Sequence, residues 1–226
     1  MAFQPFKTVL FGFAFSPSLK ANVYEAMRLA HFLNAQLIFV HVGEQTAEKE
    51  AQFEALLNEC PVRPKTIKTY WKVGDPVTTL ADACREYQVD LLLLGALKRE
   101  NVFKYYLGSI ARKLTRKAPC SVLLMLNPSI ERHPCKHIVV NGFDSPQTQE
   151  TVEAAFYMGQ ALQSEKITLV EEISESRVAV SVSDDRTLRK ATLRKEKIDR
   201  EEKIRVTDIV KKIPKPKKGY YFLCAP

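Results

Sequence analysis

The chain has 226 residues, of which 46% are apolar. Its 34 Lys and Arg residues outnumber its 26 Asp and Glu residues, so the formal net charge is +8. This length allows one large or two small domains, and no apolar run approaches the ~18 residues that span a bilayer, so we expect no membrane insertion. The positive charge favours acidic partners. The N-terminus shows no secretory signal pattern and the five cysteines form no Cys-x-x-Cys pair, which predicts reduced thiols in the cytoplasm.

Strand and helix patterns alternate over the first 130 residues. The predicted strands are 8–14, 36–42, 66–72, 90–95 and 121–126, and the predicted helices begin at 16–18, 46, 77 and 110. Gly74, Asp75 and Pro76 supply a turn, an N-cap and a proline in the first helical turn. Strands separated by helices predict an α/β fold with a doubly wound parallel sheet, in which the loops after the strands form one ligand-binding rim.

A glycine-containing loop is the most specific motif in this part of the chain. The apolar strand that starts after Asp90 ends at Gly95, and a loop leads to Gly108 and Ser109, where a helix from Ile110 to Lys117 begins. Glycines let backbone N–H groups approach a phosphate closely, and a helix start favours a negative charge. The pattern is typical of a phosphate-binding loop at the carboxyl end of a parallel strand.

The spacing of this loop resembles the signature of the universal stress protein family, which is Gly, two residues, Gly, nine residues, Gly, then Ser or Thr. Gly95, Gly108 and Ser109 match the family's phosphate-binding positions, whereas Lys98 stands where the family has its second glycine. The segment that leads into the fifth strand, 118–124, is also similar to the family. The resemblance implies the adenine-nucleotide alpha-hydrolase-like fold and makes ATP the candidate cofactor.

A second family position also departs from the pattern. Members that bind ATP carry an acidic residue at the end of the first strand, and this chain has Ala14 there. Val42, at the end of the second strand, completes the candidate cofactor-binding residues. At Lys98 the ammonium group would attract phosphate, while a non-glycine residue in a left-handed conformation costs roughly 1 kcal/mol. The alternative interpretation is that Gly95 and Gly108 only end a strand and cap a helix.

The sequence also contains an internal repeat. Residues 7–44 and 136–174 share a strand–helix–strand layout in which Asp144 corresponds to Ala14. We therefore predict a universal-stress-like domain over 1–130 and a divergent, shortened second copy over 131–226, packed together as a pseudo-dimer. No glycine lies between Gly159 and Gly219, so the second copy has no phosphate loop.

The C-terminal ninety residues depart from the family pattern. Residues 186–205 are dense in Lys, Arg and Glu and predict an exposed helix. We further predict a strand over 204–213, a basic linker broken by prolines over 211–218, and a last strand over 219–224.

Three functional hypotheses follow from the resemblance. The first is a non-catalytic stress-response regulator of the bacterial cytoplasm with a degraded ATP site, acting through a protein partner or by dimerisation through the strand from Ser121 to Leu126. The second is an ATP or AMP sensor that uses Gly95, Lys98, Gly108 and Ser109. The third is a cytoplasmic regulatory module of a membrane transporter. The four histidines form no catalytic or metal-binding spacing, so we expect neither an enzyme nor a metal site, and we expect no nucleic-acid partner.

Overall fold

The computed structural model describes residues 3–96, 108–170 and 185–213. The chain divides into two compact units. One unit is Pro5–His133, called the N-terminal unit, and the other comprises Met1–Gln4 with Pro134–Pro226, called the C-terminal unit.

Five parallel strands and four helices alternate in the N-terminal unit. The strands are β1 (Thr8–Phe13), β2 (Gln36–Val42), β3 (Ile67–Lys72), β4 (Leu91–Gly95) and β5 (Ser121–Met125). The helices are α1 (Leu19–Phe32), α2 (Ala47–Glu59), α3 (Pro76–Glu86) and α4 (Ser109–Lys117). The strand order is β3-β2-β1-β4-β5, which confirms the predicted doubly wound parallel sheet.

Both faces of this sheet are buried, as expected when helices cover a parallel sheet on each side. On one face, Leu92 and Leu94 pack with Leu80 of α3 and Leu114 of α4. The strands accordingly contain nearly continuous apolar runs, such as the four leucines of β4, of which none is more than 4% exposed.

Local capping residues define where two of the helices begin. Thr46 accepts a hydrogen bond from the backbone N–H of Lys49, and Asp75 accepts one from that of Thr78 at 2.9 Å. The bonds from Thr78 hold the pKa of the Asp75 carboxyl below its usual range. Pro76 occupies the first turn of α3, where a missing N–H costs nothing. The Asp75 cap is the one that the sequence predicts, whereas Thr46, predicted as the first helical residue, is the N-cap of α2.

The segment that follows β5 is held against α1 by a buried arginine. Arg28 is 7% exposed and donates from Nη1 to the carbonyl oxygen of Ile130 at 2.6 Å and from Nη2 to that of Ser129. Glu25 lies 3.1 Å from the guanidinium and accepts from the backbone N–H of Ser129. The two side chains therefore bind the backbone of the segment.

The C-terminal unit begins with a second parallel strand–helix–strand element. Its elements are β6 (His137–Asn141), α5 (Thr148–Leu162), β7 (Lys166–Val170) and α6 (Asp185–Lys211). Val140, Phe156, Ile167 and Leu169 form its core together with Val206 of α6.

Three predictions for the end of the chain need comment. The strand over 204–213 is wrong, because α6 continues to Lys211 and places Val206, Ile209 and Val210 against the core at helical spacing. The expectation of an exposed helix over 186–205 is correct for most of the described positions but wrong for Ile198 and Glu202, which are 8% and 7% exposed. The predicted linker covers 211–218, and its first residue, Lys211, belongs to α6. The rest of the linker beyond residue 213 and the predicted strand over 219–224 lie outside the described residues.

Truncation of a central strand should destabilise the N-terminal unit. Leu92→Ala removes a side chain that is 0% exposed, so we expect the free energy of unfolding to fall by about 2–5 kcal/mol. Urea denaturation followed by the fluorescence of Trp71, the single tryptophan of the chain, reports on this unit. Leu126→Ala, at a position that is 45% exposed, is the control, and we expect a change within about 0.5 kcal/mol. Equal losses for the two variants would contradict the packing described here.

Candidate functional site

A cavity of about 240 Å³ lies at the carboxyl ends of the central strands of the N-terminal unit. β1 and β4 are neighbours there, and the chain leaves them toward opposite sides of the sheet. Such a switch point is where open parallel sheets bind ligands. Its described walls come from the ends of β1, β2 and β4, the starts of α1, α3 and α4, and the connection between β1 and α1.

The structure brings five of the six predicted site residues to this one cavity. They are Ala14, Val42, Gly95, Gly108 and Ser109. The sixth, Lys98, lies outside the described residues. The glycine positions and the ends of the first two strands therefore meet at one place, although they are far apart in the sequence.

The start of α4 offers backbone donors to this cavity. Gly108 is the N-cap and provides no side-chain hydrogen bond, and Ser109 and Ile110 open the helix at the cavity wall. The first N–H groups of a helix have no partner within it and carry its positive end. Arg112 makes the first backbone bond of the helix, to the carbonyl oxygen of Gly108 at 3.0 Å. The site can therefore hold an anionic group through main-chain donors.

Asn22 of α1 is a polar cavity residue that the sequence analysis did not identify. It is 5% exposed, and its Nδ2 donates to the carbonyl oxygen of Ser18 at 3.0 Å and to the Ser18 hydroxyl at 3.2 Å. These bonds fix the orientation of the amide and leave Oδ1 buried without a partner. An unpaired buried acceptor costs about 1–3 kcal/mol, which a ligand donor would recover. The available sequence signal was a polar residue on the mostly apolar face of α1 that is buried.

The contact between Asn22 and Gly95 gives a second reason for a glycine at the end of β4. A Cβ atom at position 95 would lie 2.9 Å from both Nδ2 and Oδ1 of Asn22, closer than real side chains approach. Packing of the cavity wall therefore favours glycine at position 95 whether or not a phosphate binds nearby.

An aromatic cluster supports the opposite side of the site. Phe13 stacks on Phe53 with ring centroids 4.2 Å apart and contacts the edge of Trp71. His41 is buried, and its Nδ1 donates to the carbonyl oxygen of Phe13 at 3.1 Å. These contacts fix the end of β1 just before Ala14.

Asp144 of the C-terminal unit, which the sequence repeat aligns with Ala14, lies near an arginine of α6. Asp144 Oδ1 lies 3.8 Å from Nη1 of Arg205, and Arg205 also donates to the carbonyl oxygen of Gly142 and to the buried carboxylate of Glu202. α6 therefore covers the carboxyl end of β6.

The residues that the structure describes contain neither a cluster of metal-binding side chains nor a membrane-spanning helix. In 3–96, 108–170 and 185–213, no group of three or more His, Cys, Asp and Glu residues could hold a metal ion. In the same ranges no helix is long and apolar enough to cross a membrane.

Comparison with known proteins agrees with the fold. Residues 43–125 match the model of the universal stress protein family. The universal stress protein Sll1388 of Synechocystis sp. is 26% identical over 93 residues, which are 40% of this chain and 59% of that relative's length. The match thus spans less than two thirds of the relative.

Two solved structures are among those similar to this chain, and the first of them shows the likeness of fold. The functionally unknown protein PA1789 of Pseudomonas aeruginosa PAO1 has a TM-score of 0.63 at 12% identity, with 98% of this chain and 74% of that chain covered. A universal stress protein solved in complex with cAMP has a TM-score of 0.47 at 25% identity, with 54% of this chain and 98% of that chain covered.

The N-terminal unit is a doubly wound α/β domain with a cavity at its switch point. Through residues 43–125, this domain is similar to the universal stress protein family.

The packing of Asn22 on Gly95 can be measured by a double-mutant cycle. Gly95→Ala should lower the free energy of unfolding by about 1–3 kcal/mol, because the added methyl group displaces a buried amide. In an Asn22→Ala background the same change should cost much less, since the clashing atoms are gone. Urea titration of the four proteins gives the interaction energy. Strictly additive effects would contradict the contact.

Proposed function

We propose that this chain is a non-catalytic regulatory protein of the bacterial cytoplasm whose N-terminal unit binds an adenine nucleotide such as ATP or AMP. The observation that carries the proposal is the cavity at the β1–β4 switch point, which combines the uncapped start of α4 with the unpartnered Oδ1 of Asn22. Helix donors suit a phosphate, and a buried acceptor suits a sugar hydroxyl or an amino group.

The remaining walls of the cavity suit an apolar ring. Val40, Val42, Pro76 and Leu80 line it together with the end of β1. A pocket that is mostly apolar with a few convergent polar groups is the usual form of a cofactor site. Among the described lining residues the polar side chains are two serines at 16 and 18, Ser109 and Asn22, so this wall supplies hydrogen bonds without a titratable acid or base. That composition favours binding over catalysis.

The two departures from the family pattern predict reduced affinity. Ala14 lies at the cavity and is exposed, so the acidic contact that family members offer to a nucleotide is missing. Lys98 replaces a glycine of the signature. We propose that Asn22 and the α4 donors support a weaker, regulatory interaction in place of a tight one.

Titration calorimetry of the nucleotide-stripped protein with ATP, AMP and Mg²⁺ tests the proposal. The sharpest variant is Ser109→Pro, because a proline in the first helical turn keeps the helix while it removes one backbone N–H. Gly108 has φ −55° and ψ 156°, a conformation that accepts a following proline. We expect Ser109→Pro to weaken binding at least tenfold, and Ser109→Ala, which keeps the N–H, to weaken it less.

A second variant tests the same proposal in the opposite direction, by an increase in nucleotide affinity. Ala14→Asp restores the acidic residue at the end of β1 and should strengthen nucleotide binding. Thr115→Ala, on the exposed far part of α4, is the matched control and should leave affinity unchanged. No heat of binding at millimolar nucleotide for both the natural chain and Ala14→Asp would overturn the proposal.

The regulatory output is proposed to pass through self-association. Among the described strands of the N-terminal unit, β5 pairs with β4 alone, so its other edge presents backbone groups that another strand can pair. The strand from Ser121 to Leu126 remains the proposed seam. Sedimentation velocity at micromolar concentration should show a dimer, and a monomer at all concentrations up to about tenfold higher would contradict this part of the proposal.

A further inference from the structure

The long helix α6 presents a continuous line of exposed side chains on the side opposite its core contacts. Ile198, Val206 and Ile209 face the core of the C-terminal unit at helical spacing. Half a turn away, residues three or four apart form a second line, called the outer stripe. Its members are Arg189, Leu193, Lys197, Arg200, Ile204, Thr207 and Lys211, and all of them are exposed. At 1.5 Å per residue the outer stripe is roughly 33 Å long.

The outer stripe carries positive charge and no carboxylate. Among the described residues, Arg189 and Arg200 have no ion-pair partner, while Lys197 lies 3.8 Å from Glu201 and Lys211 lies 3.2 Å from Asp208. Exposed ion pairs of this kind are weak, so all four cations remain available to an external anion. The exposed described positions beside the outer stripe are balanced in charge, with Lys190, Arg194 and Lys203 against Glu196, Glu201 and Asp208.

Two aliphatic residues make the outer stripe apolar as well as cationic. Leu193 is 59% exposed and Ile204 is 55% exposed, and the two lie about three turns apart on the same line. The surface of an anionic bilayer suits both kinds of side chain, because lipid phosphates pair with cations and the boundary of the acyl chains buries aliphatic groups. The backbone of a nucleic acid offers the phosphates alone. A second copy of the outer stripe would be repelled by its like charge.

We propose that the outer stripe binds the surface of an anionic lipid bilayer, with the axis of α6 parallel to the membrane plane. The four cations pair with lipid phosphates, while Leu193 and Ile204 enter the boundary between headgroups and acyl chains. The helix lies on the bilayer and does not cross it, because charged residues occur along its whole length. The core-facing side of α6 keeps its contacts, so the association requires no unfolding of the C-terminal unit.

Sedimentation of the full chain with large unilamellar vesicles tests the electrostatic part of the proposal. Vesicles of phosphatidylcholine with about one third phosphatidylglycerol should bind the protein at low salt and release it at high salt, and vesicles of phosphatidylcholine alone should not bind it. The double variant Arg189→Glu/Arg200→Glu should weaken binding by about tenfold or more.

The matched control makes the same change of net charge in the N-terminal unit. Lys65→Glu/Lys68→Glu replaces two exposed lysines and should retain most of the binding. Equal losses in the two double variants would show an effect of net charge alone and would overturn the proposal. Failure of the natural chain to bind the anionic vesicles at low salt would overturn it as well.

The aliphatic residues distinguish a bilayer from a nucleic acid. Leu193→Ser/Ile204→Ser keeps every charge and changes only exposed positions, so the circular dichroism should stay native while binding to anionic vesicles weakens by about tenfold. A short DNA duplex is the competitor, and its binding is followed by fluorescence anisotropy. A duplex that displaces the protein from vesicles and binds the natural chain and this variant equally well would overturn the proposal in favour of a nucleic-acid surface.

Insertion of the outer stripe can be measured directly by fluorescence quenching. Leu193→Trp adds a tryptophan to the outer stripe, and the natural chain, whose single tryptophan is Trp71, provides the reference signal to subtract. Anionic vesicles whose acyl chains carry bromine should quench the added tryptophan more than ordinary vesicles of the same charge. Equal fluorescence of the bound variant on the two kinds of vesicle would overturn the proposed orientation of α6.

Discussion

The parallel pairing of β1 with β4 is the constraint on which the N-terminal unit depends. Asp90, just before β4, accepts hydrogen bonds at Oδ2 from the backbone N–H groups of Lys7 and Thr8 at 2.9 and 2.8 Å, so the two strands begin level with each other. Because their register is fixed at one end, they also finish level, and the chain then turns to opposite sides of the sheet. Ala14, Gly95 and the start of α4 face one cavity as a result. The site is thus a geometric outcome of the strand order.

Glycine at position 95 is explained by local packing as well as by the family motif. The resemblance to the family explains it by close approach of a phosphate, whereas the structure shows that the Asn22 amide already occupies the space that a side chain would need. The same amide leaves an acceptor buried without a partner, which is a local cost in stability. The buried Oδ1 atom lowers stability, but it is also a hydrogen-bond acceptor in the cavity wall that an alanine at position 22 would not supply.

Sequence reasoning was strongest where local chemistry decides the structure. The bounds of β2 follow from its apolar run, and the Asp75 cap follows from a side chain that accepts a backbone hydrogen bond. It failed over 204–213, because a short β-branched apolar run fits a strand as well as a helix until its partners are known. Val206 and Ile209 meet core residues of β6, α5 and β7, which lie far earlier in the sequence.

Contacts between distant segments were also beyond the sequence. Nothing local marks Asn22 as a neighbour of Gly95. The two residues meet only because β4 lies beside β1 in the sheet.

The way in which Arg28 holds the segment after β5 has an evolutionary consequence. Its guanidinium contacts the carbonyl oxygens of Ser129 and Ile130, which are atoms that every amino acid possesses. Substitutions at these two positions can therefore accumulate without loss of the attachment. Arg28 itself has no such freedom, because a lysine offers a single ammonium in place of a planar fork that reaches two carbonyls at once. Divergence in related chains should accordingly be concentrated on the segment and spare the arginine that binds it.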